Sequence, residues 1–139
     1  MSVLLDTNVL SELLRASPDA TVLAWFSRQR DDELFVSAVT QAEMMLGARI
    51  LPEGRRRQRL QAALDGLFDV DFADRVLPFD AACVGPYADI VASRRRAGRP
   101  ISQFDAQIAA IAARSGLAVA TRNRSDFEGC GVPLVDPWG

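Results

Sequence analysis

The chain has 139 residues, 49% of them apolar and 24% charged, with a formal charge of −2. That is the size and balance of one globular domain, and it excludes a disordered segment and a strongly basic protein that coats nucleic acid. There is no histidine, and all 16 basic residues are arginines, which excludes a Ser-His-Asp triad, a Cys-His pair, a Schiff-base lysine and a Walker-A lysine.

The first residues, Met1-Ser2-Val3, carry no basic region or cleavage motif and run straight into an apolar strand pattern over Val3-Leu4-Leu5, closed by Asp6. Val9, Leu10, Leu13 and Leu14 then recur at helical spacing, and Ser17-Pro18-Asp19 ends that helix before a short second one with Val22, Leu23 and Phe26. Leu34-Phe35-Val36 reads as a second strand. Thr40 to Leu51 reads as a helix stopped by Pro52 and Gly54, and a longer helix follows with Leu60, Leu64 and Leu67 on one face. Val76 to Phe79 is a third strand, placed at an edge by Pro78. Asp80 to Arg96 and Ser102 to Arg114 are helical in pattern, the second stopped by Gly116. Leu117 to Ala120 is a fourth strand and Pro133-Leu134-Val135 a fifth. Strands alternating with helices predict one α/β domain over residues 1–139, with a parallel sheet of four to five strands flanked by helices.

No apolar run approaches the ~20 residues of a membrane span. With Cys83 and Cys130 forming no CxxC motif, the expectation is a cytoplasmic protein with reduced thiols and no membrane contact.

In an open parallel sheet, ligands gather beyond the carboxyl ends of the strands. Asp6 lies there on the first strand, with Asn123 and Asp126 just past the fourth, while Glu43 and Asp105 fall in first turns of helices. A cluster of about four acids is a normal ligand supply for one or two hard divalent ions, and such ions supply hydrolytic chemistry without histidine. Each acid also has a bland reading. Thr40-x-x-Glu43 is a capping-box pattern, Ser102-x-x-Asp105 a weaker one, and Asp126 sits in an arginine-rich loop that could pair with it. Asp6 is harder to dismiss, because an acid ending an apolar strand is poorly placed for burial unless something pairs with it. The arginine runs Arg55-Arg56-Arg57 with Arg59, and Arg94-Arg95-Arg96 with Arg99, read first as solvated helix faces and second as phosphate contacts. Arg122 and Arg124, beside the expected site, are better candidates for substrate contact. Trp25 and Trp138 read as packing residues.

Four ordered stretches, Leu5-Asp6-Thr7-Asn8-Val9-Leu10, Ser37 to Glu43, Phe104 to Ala110 and Ala120 to Phe127, resemble a PIN domain, and more narrowly the ribonuclease toxins of the VapBC and FitAB toxin–antitoxin systems. The resemblance implies an endoribonuclease dependent on Mg²⁺ or Mn²⁺, dimeric, and neutralised by a small antitoxin through which it meets DNA only indirectly. It implies that Asp6, Glu43 and Asp105 are catalytic metal ligands, that Thr121 is the hydroxyl after the fourth strand, and that Asn8 braces the acids through its amide. The position commonly occupied by a fourth aspartate is Asn123 here, and Asp126 follows three residues later, so either can fill the fourth role. Two alternatives carry less weight. One is a catalytically inert PIN-fold partner of an antitoxin and DNA. The other is an aspartate-based phosphotransfer enzyme, which ordinarily wants a lysine and, in the dehalogenase type, an aspartate where Asn8 stands.

Overall fold

A computed structural model describes residues 1–139. Its five strands are β1 (Val3–Leu5), β2 (Leu34–Ser37), β3 (Val76–Leu77), β4 (Ala118–Ala120) and β5 (Leu134–Val135). They form one sheet in the order β3-β2-β1-β4-β5, and every neighbouring pair is parallel. The six helices are α1 (Thr7–Leu13), α2 (Ala20–Ser27), α3 (Ala38–Arg49), α4 (Arg55–Gly66), α5 (Val84–Arg96) and α6 (Gln103–Ser115). No helix is long and apolar enough to cross a membrane.

Why β1 is central follows from its residues. Val3, Leu4 and Leu5 are apolar without interruption, which suits a strand covered on both faces, and all three are buried. Alternation along the strand sends them to opposite sides. Val3 and Leu5 join Val9, Leu10, Leu64, Phe68 and Phe72 under α1 to α4, while Leu4 joins Ile90, Ile108, Ile111 and Val119 under α5 and α6. The register Val3↔Leu34 on one flank and Val3↔Ala118 on the other sets β1 between β2 and β4. The chain order grows outward from β1 through β2 to β3, then restarts on the other flank at β4. The crevice between β1 and β4 is therefore the switch point of the sheet, where the loops leaving two adjacent strands part in opposite directions.

Local signals account for most boundaries. Pro78 ends β3, which is indeed the edge strand, and Gly116 adopts φ 68° as the left-handed cap of α6. Two expectations are corrected. Thr40 does not cap α3: the helix already begins at Ala38, and Ser37 is the cap, its hydroxyl accepting from Thr40 N at 2.9 Å. The helix expected from Asp80 opens with a 3₁₀ turn over Ala81–Cys83 before α5 proper, with the Asp80 carboxylate accepting from Ala82 N at 3.1 Å. The helix through Leu67 also widens into a π turn over Leu67–Asp71, which turns Phe68 and Phe72 into the core.

Candidate active site

Asp6 is where strand and helix meet. Its backbone N–H still donates to Ala120 O at 2.9 Å, continuing the β1–β4 ladder, while its side chain caps α1 by accepting from Thr7 N at 2.8 Å. Oδ2 accepts from Thr121 Oγ1 at 2.9 Å and from Asn8 Nδ2 at 3.0 Å. The carboxylate is thus held by three neutral donors in a position 6% exposed. Glu43, on the second turn of α3, accepts from Thr7 Oγ1 at 3.1 Å, and Thr7 Oγ1 also meets Thr40 Oγ1 at 3.1 Å. Asp105 lies in the first turn of α6, its N–H donating to the capping hydroxyl of Ser102 at 3.2 Å. Asp126 ends the 3₁₀ turn Arg124–Asp126 in the loop after β4. Thr121, fully buried, accepts from Asn123 N at 3.1 Å and so fixes the start of that loop to Asp6.

These side chains surround one pocket of about 520 Å³ at the switch point. Asp6, Asn8, Glu43, Asp105, Asn123 and Asp126 all line it. Arg122 lines it too, but Arg124 does not. Glu12, Ser11 and Arg15 are not among the expected site residues, yet Asn8, Ser11, Glu12 and Arg15 form one stripe of α1 and the turn after it, all lining the pocket. Glu12 is 6% exposed and accepts from Arg15 at 3.0 Å and from Asp19 N at 3.0 Å. That i, i+3, i+4, i+7 spacing of polar residues was the available signal. Trp138, read as a packing residue, does touch the core, but it also lines the pocket with the Arg122 guanidinium 5.0 Å from its ring centroid. The chain's largest groove lies elsewhere, between α3 and α4, and none of these acids lines it.

The electrostatics of the pocket are unbalanced. Burial pushes the Asp6 carboxyl up to about 6; hydrogen bonds from Thr121 and Thr7 oppose the rise, and repulsion from Asp105 and Glu43 adds to it. Asp105 is raised as well, chiefly by burial and further by repulsion from Asp126, with the Ser102 bond and the Arg94 charge pulling the other way. None of the chain's four ion pairs involves Asp6, Glu43, Asp105 or Asp126, although 16 arginines were available. Oxygen donors of this kind, held in no ion pair, fit a hard divalent cation. No three carboxylates stand close enough to enclose a bare ion between them.

The sequence pattern of the PIN domain matches residues 3–129. The chain belongs to the PIN domain family. Over 136 residues this PIN domain is 43% identical to VapC ribonuclease Y4jK of Sinorhizobium fredii, an alignment covering 98% of the chain and 97% of the relative. It is 38% identical to toxin FitB of Neisseria gonorrhoeae, with 98% of each covered. The solved structure of FitAB bound to the IR36 DNA fragment superposes on this PIN domain with a TM-score of 0.92 at 36% identity, covering 99% of this chain and 96% of that one.

Proposed function

We propose that this PIN domain is an endoribonuclease dependent on Mg²⁺ or Mn²⁺ and the toxin of a toxin–antitoxin pair. The observation that carries the catalytic half is the pocket at the switch point, which Asp6, Glu43, Asp105 and Asp126 all line and where none of them is held in an ion pair. The toxin half rests on the likeness to the VapC ribonuclease and to FitB.

In this reading Asp6, Glu43, Asp105 and Asp126 hold the metal. When bound, the ion lowers the pKa of a water and withdraws charge from the phosphodiester. The chain's own residues prepare the site for it. Thr7, Asn8 and Thr121 hold the Asp6 carboxylate by donating to it, so both oxygens are oriented before a cation arrives. Thr7 does the same for Glu43, and the Ser102 cap fixes the turn that presents Asp105. Arg122 supplies positive charge at the rim, where an RNA phosphate approaching an acidic pocket needs it. Arg15, the other arginine of the rim, is already engaged by Glu12.

The likeness to FitAB bound to DNA supports an antitoxin partner and contact with DNA through it; that the antitoxin blocks the acids, and that a second copy of the chain joins through leucine- and alanine-rich helical faces, are further parts of the proposal. Incubation of the isolated protein with RNA, followed by sequencing of the ends produced, tests the reading. Cleavage should require Mg²⁺ or Mn²⁺, stop in EDTA and return when the ion is restored. Asp105→Asn should remove it while leaving the fold intact, since the amide keeps the shape and loses the charge. Undiminished cleavage in EDTA would overturn the metal-dependent mechanism.

A further inference from the structure

Arg94 stands in a run of three arginines at the end of α5, the kind of sequence that ordinarily faces water, and its neighbours Arg95 and Arg96 do. Arg94 itself is 6% exposed. No carboxylate pairs with it. Its guanidinium is surrounded instead by backbone carbonyls: Nε donates to Arg99 O at 2.6 Å, and Nη1 to Asp126 O at 3.0 Å and Glu128 O at 2.9 Å, with Cys130 Sγ at 3.8 Å.

Burying a charge without a salt-bridge partner is costly, even with the Asp105 carboxylate near enough to feel it, and a neutral donor could satisfy the same carbonyls for less. What the guanidinium provides is a rigid fork that reaches two segments at once. One segment leaves α5; the other is the loop after β4. That loop has little regular structure of its own. It contains one 3₁₀ turn, Arg124–Asp126, and two glycines at φ 79° and 76°, Gly129 and Gly131, before the two residues of β5. Asp126 faces both ways: its carbonyl is bonded to Arg94, and its side chain lines the acidic pocket. Arg99 adds a weaker exterior tie, its Nη2 donating to Glu128 Oε2 at 3.1 Å.

We infer that Arg94 is a positioning residue for the fourth acid, clamping the turn from below so that Asp126 is presented to the pocket beside Asp105. The inference rests on the metal-dependent reading of the pocket.

The test is a double-mutant cycle read on two observables. The first is the Mg²⁺ concentration needed for half-maximal RNA cleavage by wild type, Arg94→Met, Asp126→Ala and the double variant. Arg94→Met should raise that requirement about tenfold, in the range typical of residues that orient metal ligands. The rate at saturating Mg²⁺ should change less. In the Asp126→Ala background the same substitution should add less than about twofold, because the residue it acts through is gone. An unchanged Mg²⁺ requirement, or fully multiplicative effects, would overturn the inference. The second observable does not need activity: hydrogen exchange at the Asp126, Phe127 and Glu128 amides, which close the turn on Asn123 O and Arg124 O. In Arg94→Lys, the milder variant, these amides should exchange faster while those of β1 and β4 keep their protection. Unchanged exchange there would overturn the clamp itself, even if wild type proves inactive on RNA and the proposed function fails.

Discussion

The Thr121 hydroxyl donates to Asp6 Oδ2 at 2.9 Å, joining the carboxyl ends of two neighbouring strands across 115 positions of sequence. The same hydroxyl accepts from Asn123 N, so one small side chain couples the buried acid to the loop that carries the remaining pocket residues. Thr121→Val keeps the shape and removes both bonds, together with a longer one that the hydroxyl accepts from Asn8 Nδ2 at 3.4 Å. It should cost about 1–3 kcal/mol of stability by leaving buried polar groups unpaired, and RNA cleavage should drop about tenfold as the site loosens. Thr121→Ser should restore most of both. Denaturant titration and cleavage assays on the two variants check this, and a fully active valine variant would contradict it.

The raised Asp6 pKa gives a stability signature in metal-free protein. A carboxyl at about 6 folded and 3.8 unfolded holds its proton more tightly in the fold. Its contribution is therefore most favourable below 3.8, declines as pH rises through that window, and levels off above about 6. The groups that set it are the Thr121 and Thr7 donors and the facing carboxylates of Asp105 and Glu43. With EDTA present, the stability of wild type minus that of Asp6→Asn should fall across this range, because the amide does not titrate. A difference that is flat or rising with pH would refute the assignment. Added Mn²⁺ should raise the wild-type melting temperature and do little for Asp6→Asn.

Asn123 and Asp126 both line the pocket, so geometry alone admits either as the fourth ligand. Charge favours Asp126, whose repulsion is felt at Asp105. Asp126→Ala should raise the Mg²⁺ requirement about tenfold, with Asn123→Ala shifting it less. The reverse order would assign the role to the asparagine amide.

Arg122 rests over the Trp138 ring at the pocket rim. Arg122→Ala should raise KM for RNA several-fold, flatten its dependence on salt, and leave kcat within about a factor of two, as expected for a phosphate contact outside the reacting centre. Trp138→Ala should give a weaker version of the same change, since a cation–π contact of this kind contributes on the order of 1 kcal/mol. A loss confined to kcat would place Arg122 in the chemical step instead.

Where the sequence was legible, burial and periodicity agreed. The uninterrupted Val3-Leu4-Leu5 closed by an acid marks a central strand, and the acids past strand ends could be placed because a parallel sheet sends all its carboxyl ends to one edge. Buried charge was not legible. Glu12 and Arg94 look like helix surface until their partners are known, and those partners include backbone groups, Asp19 N and the carbonyls of Arg99, Asp126 and Glu128, that no pattern of residue types announces. The misplaced start of α3 has a similar cause: Ser37 is at once the last residue of β2 and the helix cap, leaving no loop between the elements to mark the change.

The pairing of β1 with β4 also dictates when the pocket can exist. Asp6 is synthesised more than a hundred positions before the hydroxyl that holds it and the loop that completes its surroundings. Contacts this far apart in sequence form late and slowly, after the intervening segments have collapsed. A nascent chain therefore carries Asp6 and Glu43 long before it can use them. An inhibitor made alongside it has that whole interval in which to arrive.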